Sequence, residues 1–165
     1  MAITLDGNNA LTVGVPNSGT AQASTSGTSI TFSSIPAGVK RITVMLNGVS
    51  TSGTSYFLIQ LGNGSVVTSG YTGVSSAGTV VGTNSTAGFI VSSNQGAVNL
   101  YNGIVFLANV SGNIWSQSGT VGAPSNINSV SSGVVTLTGT LDRVVLTTVN
   151  GTDTFDAGSI NILYE

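Results

Sequence analysis

The chain has no cysteine and no histidine, and only Lys40, Arg41 and Arg143 among its 165 residues are basic. Without thiol or imidazole there is no disulfide, no Ser-His or Cys-His nucleophile, and none of the usual side chains for zinc or haem. Three basic residues cannot build a phosphate-tracking surface, which excludes nucleic acid as a partner. Acids are equally sparse: Asp6, Asp142, Asp153, Asp156 and Glu165, for a formal net charge of -2. They stand singly in turns and at strand ends, not as a facing carboxylate pair of the kind that cleaves sugars. Neither a G-x-S-x-G elbow nor a G-x-x-x-x-G-K phosphate loop occurs. The expectation is a non-enzymatic protein without cofactor or metal. No apolar run approaches the ~18 residues that span a bilayer, so no membrane partner is expected. Residues 1–11 have neither a basic nor an apolar leader segment, so synthesis without a signal peptide is expected.

What the chain does have is small and polar. Its 23 Gly join 24 Ser, 22 Thr and 15 Asn, about half of all residues. An apolar share of 40% with a mean hydropathy of +0.40 nevertheless indicates a folded chain. The length suits one domain burying roughly 70% of its unfolded surface. Helix formers are scarce, with one Glu, one Lys and 11 Leu against 21 Val. The chain therefore reads as all-β.

Residues 1–28 read as an N-terminal arm, because 16–28 is almost wholly Ser, Thr, Gly, Ala, Asn and Gln. Residues 29–165 form the domain. Strands are expected at 30–34, at 39–47 with Ile42, Val44 and Leu46 on one face, and at 56–61 with Phe57, Ile59 and Leu61 together. Weaker strands are expected at 66–67 and 79–81, and further ones at 88–92, 97–110, 113–121 and 133–141. Asn47-Gly48 and Asn63-Gly64 read as turns, and Asn102-Gly103 as a break in the long strand. The segments 143–149 and 159–164 read as a final pair. Eight to ten short antiparallel strands with several longer connections fit a two-sheet β-sandwich of jelly-roll type. Residues 57–59, 104–107 and 144–146 are apolar on both faces, so one face of each needs cover, either from a loop or from a neighbouring subunit.

Few residues offer a binding site. Trp115, Tyr71 and Tyr101, with Tyr56, are the rings that a receptor sugar or a neighbouring subunit could use. Trp115 alternates with Asn113 and Gln117 rather than with Ile114, which makes it the best candidate for an exposed or interface ring, although packing in the core is the commoner role. Asn150, Asp153 and Asp156 share a turn, yet their spacing is not that of a calcium loop. Asp142 and Arg143 are candidates for ion pairs with Lys40, Arg41 or Glu165.

Three blocks carry a resemblance. The closing segment, from Leu141-Asp142-Arg143-Val144-Val145-Leu146 through Asn150-Gly151-Thr152-Asp153 to Ile162-Leu163-Tyr164-Glu165, resembles the end of a β-rich domain in tailed-bacteriophage virion proteins, often the head of tail fibres. Ile35-Pro36-Ala37-Gly38-Val39-Lys40-Arg41, followed by residues 48–55, and Ser69-Gly70-Tyr71-Thr72-Gly73 match in the same order. With 28 residues before the domain, no long fibre shaft is expected. The resemblance implies a virion surface protein, a homotrimer, and no catalytic residue. The expected role is a capsid decoration or cement protein that contacts the major capsid protein or other virion proteins. The alternative is a tail-fibre or tail-tip head that binds a host-surface glycan. Low charge also makes contacts weakly dependent on salt.

Overall fold

A computed structural model describes residues 16–78, 82–124 and 127–165. Among them are fourteen strands and no helix. In chain order these are β1 (Asn17–Ser18), β2 (Gln22–Ala23), β3 (Ile30–Phe32), β4 (Arg41–Thr51), β5 (Phe57–Asn63), β6 (Ser65–Val66) and β7 (Thr72–Ala77). They continue with β8 (Thr83–Ser85), β9 (Phe89–Ile90), β10 (Tyr101–Ser111), β11 (Ile114–Ala123), β12 (Ile127–Thr136), β13 (Arg143–Thr148) and β14 (Phe155–Tyr164). Sheet A has the order β1-β14-β4-β10-β11-β12-β7-β8, with β2 also on β14. Sheet B has the order β3-β13-β5-β6, with β9 also on β5. Every pairing is antiparallel.

The two sheets share one core. Alternation in β4 turns Ile42, Val44 and Leu46 inward, joined by Val105 and Leu107 of β10 and by Ile160 and Ile162 of β14. From sheet B come Phe57, Ile59 and Leu61 of β5 with Val144 and Leu146 of β13. Four pairings are nested along the chain: β2 with β14, β3 with β13, β4 with β10, and β5 with β9. The segments β6 to β8 and β11 to β12 are inserted between members of that series. The insertions widen sheet A well beyond sheet B.

Several expectations need correction. Asn47-Gly48 is not a hairpin turn but lies inside β4, where Gly48 takes φ 62° at a bulge flanked by β10 and β14. Asn102-Gly103 does not break its strand; β10 runs through it with a register shift against β4. The strand expected at 133–141 begins earlier, at Ile127, and ends at Thr136. The last two strands do not pair with each other: β13 lies in sheet B and β14 in sheet A, because the six-residue connection 149–154 crosses between layers. β7 was hidden because its inward positions are Gly73, Ser75 and Ala77, which give no apolar signal. The strand expected at 79–81 lies outside the described residues.

The arm is only partly described. Residues 16–28 run along the domain's own β14: Asn17 and Ser18 pair with Tyr164 and Leu163, and Ala23 with Ser159. The Ser24 hydroxyl is buried and donates to the Ala157 carbonyl at 2.7 Å. This part of the segment closes an edge of sheet A. Residues 1–15 lie outside the described residues.

One glycine anchors the centre. Gly158 sits at the bulge of β14 against β4 with φ 90°, and a Cβ there would overlap the Gly48 and Asn47 carbonyls. Gly158→Ala should therefore destabilise the domain by about 2–4 kcal/mol, combining left-handed strain with overpacking. At Gly151, whose φ is 67° with open space around the added carbon, alanine should cost only about 1–2 kcal/mol. Urea unfolding of the two variants measures the difference.

Candidate functional site

The register of sheet A sets out its outer face row by row. One row runs Ser18, Leu163, Thr43, Phe106, Ser118, Ser132, Val74 and Asn84 across eight strands. The next runs Asn161, Met45, Ile104, Thr120, Val130 and Ser76. A third runs Arg41, Ala108, Ser116, Val134 and Thr72. Arg41 is the one charged residue in the three rows, and it pairs with Glu165 at the end of the face. Ile104 is 46% exposed, Phe106 47% and Val130 54%. Large apolar side chains exposed on a face whose one charged residue lies at its end mark an interaction surface. Eight strands at about 4.8 Å spacing make it about 34 Å wide.

The stretches that are apolar on both faces therefore resolve differently. Leu58 and Val145 of sheet B are buried, whereas Ile104 and Phe106 of sheet A face outward.

A groove of about 410 Å3 lies at one side of the same sheet, lined by Thr72, Val74, Asn84, Ser85, Thr86 and Ser132 with Tyr71 and two glycines. It offers hydroxyls and an amide on a lining that is more apolar than polar, and no ionisable acid or base other than the phenol of Tyr71.

The three candidate rings are all buried in the core. Trp115 faces inward from β11 beside Val135 of β12, so the side of the strand it shares with Gln117 is the covered one. Both residues are buried, so the polarity of Gln117 pointed to the wrong face. Tyr101 packs edge-on against Phe57 at 5.3 Å, and its hydroxyl donates to the Asn94 carbonyl at 2.6 Å. Tyr71 packs edge-on against Phe89 at 4.9 Å and accepts a hydrogen bond from the Leu61 amide at 2.8 Å. None of the three presents its ring to solvent; Tyr56 is partly exposed.

Burial pushes the Tyr71 phenol up to about 12, against a smaller opposing effect of the Leu61 amide. The unfolded chain releases this proton near pH ~10 while the folded chain keeps it, so stability falls as pH rises from about 10 to about 12, by up to ~3 kcal/mol. Tyr71→Phe should remove that component. Unfolding midpoints of both proteins at about pH 9 and about pH 11.5 test it: wild type should lose stability more steeply than the variant.

The charged residues sort into local pairs. The Arg143 guanidinium binds Asp142 at 2.7 Å, and with the Gly64 amide it holds the Asp142 carboxyl below the usual range. Arg41 pairs with Glu165, while Lys40 donates to the Asn109 side chain at 2.9 Å. The expected link between Asp142 or Arg143 and Lys40, Arg41 or Glu165 is thus replaced by pairing between neighbours in sequence.

In the turn after β13, Asp153 accepts from the Ser55 amide at 2.9 Å and from the Asn150 side chain at 2.7 Å. Asn150 Oδ1 in turn accepts from the Thr152 and Asp153 amides. These oxygens serve the turn, while Asp156 is exposed on β14. No group of three or more carboxylate, His or Cys ligands occurs among the described residues.

No protein-family model, no curated protein and no solved structure matches this chain.

Proposed function

We propose that this chain is a non-enzymatic structural protein of a phage virion surface, a homotrimeric decoration protein that assembles through the outer face of sheet A. The observation that carries the reading is that face: wide, free of net charge in its interior, and bearing Ile104, Phe106 and Val130 in solvent. Such a surface supplies interface area and no chemistry. An interface of ordinary size takes about 800 Å2 from each partner, and the five long strands β14, β4, β10, β11 and β12 alone, about 24 Å wide and about 34 Å long, provide about 800 Å2.

Two further features support the reading. The four nested pairings fit one long hairpin rolled into two layers and so support a jelly-roll winding. The sequence blocks that resemble phage virion proteins also meet in space, since β4 and β14 pair from Ile42 with Tyr164 to Thr51 with Phe155. The mechanism is passive: added contact between copies, and between copies and the major capsid protein, links capsomers and resists internal pressure.

Static light scattering of the purified chain tests the assembly. Three copies of a 16.4 kDa chain give about 49 kDa. A mass of 16.4 kDa at every concentration would contradict it.

The groove beside β7 and β8 favours a second reading, a fibre or tail-tip head that binds a neutral host-surface glycan. A glycan array separates the two: retention of defined sugars that is lost on Asn84→Ala supports the receptor reading, and no retention removes it.

A further inference from the structure

The wide half of sheet A has an inner face unlike the rest of the core. Where β14, β4 and β10 turn Ile, Val and Leu inward, β11, β12 and β7 turn in Gln117, Ser129, Ser131 and Ser75, all buried. Ser131 and Ser75 are directly opposed across the β12 and β7 pair. Gln117 reaches Ser131 from the neighbouring strand, with Nε2 donating to Oγ at 2.8 Å. The segment after β9 lies against the same side: the Ser93 amide donates to Ser129 Oγ at 3.2 Å, and Ser92 and Ser93 are buried. These contacts make one continuous polar seam between two layers.

Its hydrogen bonding is incomplete within the protein. Ser75 Oγ, Ser92 Oγ, Ser93 Oγ, Gln117 Oε1 and Gln95 Nε2 are enclosed and meet no hydrogen-bond partner among the described residues. A buried polar atom left unpaired costs about 1–3 kcal/mol, and the three that these contacts place in the seam, Ser75 Oγ, Ser93 Oγ and Gln117 Oε1, would amount to a large part of the stability of an ordinary domain. Neutral hydroxyls and amides lower that cost when they share small, two-way hydrogen-bonding molecules. Gln117 Oε1 needs a donor, and the two hydroxyls serve as either. Water meets all of these demands; an ion would face a seam with no charged side chain.

We propose that this seam is an internal hydration site, in which ordered water molecules bridge the Gln117, Ser131 and Ser75 side chains to Ser93 of the segment after β9. The water takes the place of hydrocarbon filling and lets sheet A extend past the cover of sheet B. The inference does not depend on the proposed function.

A crystal structure of the full chain at about 1.5 Å resolution tests it directly, because waters with two to four polar partners are well ordered. The expected result is solvent density within hydrogen-bond distance of Ser75 Oγ and Gln117 Oε1. Rotated side chains that pair with one another, with no solvent between them, would overturn the proposal. Water proton relaxation dispersion in solution provides a second readout: wild type should show long-lived internal water, and Gln117→Met should show fewer such molecules. Equal dispersion in both proteins would likewise count against the site, and the variant's circular dichroism shows whether it has folded.

Discussion

Replacing Phe57 with alanine should cost the domain about 3–5 kcal/mol, the range for emptying a fully enclosed aromatic site. Phe57 opens β5 in the middle of sheet B and is fully buried. Its ring meets Tyr101 of β10 edge-on at 5.3 Å and stacks on Phe155 of β14 at 6.1 Å. It therefore ties sheet B to two strands of sheet A at once, and each aromatic pair adds about 0.5–1.5 kcal/mol beyond area burial. The neighbours are held by ladders and by the Tyr101 hydroxyl on the Asn94 carbonyl, so the cavity has little means of collapsing. With domain stabilities of about 5–15 kcal/mol, such a loss brings the chain close to unfolding. Val98→Ala, at a residue 91% exposed, should shift stability by less than about 0.5 kcal/mol. Urea denaturation of the two variants beside wild type measures both.

The second large effect concerns assembly. Ile104→Lys together with Phe106→Lys should convert the proposed trimer to monomer while leaving the fold intact. Both side chains project outward from β10, and their Cα partners on β4 are Met45 and Thr43, so no inward residue is disturbed. Two ammonium groups placed on each copy of a face without charge would meet their counterparts across a desolvated contact. Burying an unpaired charge costs several kcal/mol, and like charges add to that. A loss of 4 to 5 kcal/mol corresponds to about a thousandfold or greater weakening, enough to abolish the complex at micromolar concentration. Light scattering reads the mass, and circular dichroism confirms the strand content. A variant that keeps the wild-type mass would place the contact elsewhere on the molecule.

Much of the fold was legible because alternation in strands leaves a direct trace. Ile42, Val44 and Leu46, or Phe57, Ile59 and Leu61, announce the inner face of a sheet through their spacing alone. The all-β class and the antiparallel two-sheet arrangement followed from that trace and from the want of helix formers. Layer assignment was not legible. Residues 143–149 and 159–164 look like a hairpin in sequence, but nothing local states that the connection between β13 and β14 crosses between sheets. Asn63-Gly64 is the turn between β5 and β6, as its sequence indicates, but Asn47-Gly48 misled for a related reason: a positive φ is required at a bulge as much as at a turn, and only the strands on both sides of β4 decide which.

The candidate site was the least legible part. Trp115 drew attention because it shares a face with Gln117, and polar company ordinarily means solvent. Here the company is polar because β11, β12 and β7 bury a seam of Gln and Ser, which inverts the rule. Ile104 and Phe106 were visible as part of a stretch apolar on both faces, but which face lay open depended on where sheet B ends. β7 and β8, which carry the groove, offered Ser, Thr, Gly and Asn with only Val74 and Ala77 among them, too few for a periodic signal.

The most direct test of the central claim is the copy number of this chain in purified virions from the genome that encodes it, by quantitative mass spectrometry against the major capsid protein. A decoration protein should be present at hundreds of copies, in simple proportion to the capsid subunits. A handful of copies would instead assign the chain to a fibre or tail tip, and its absence from the particle would contradict the virion role altogether.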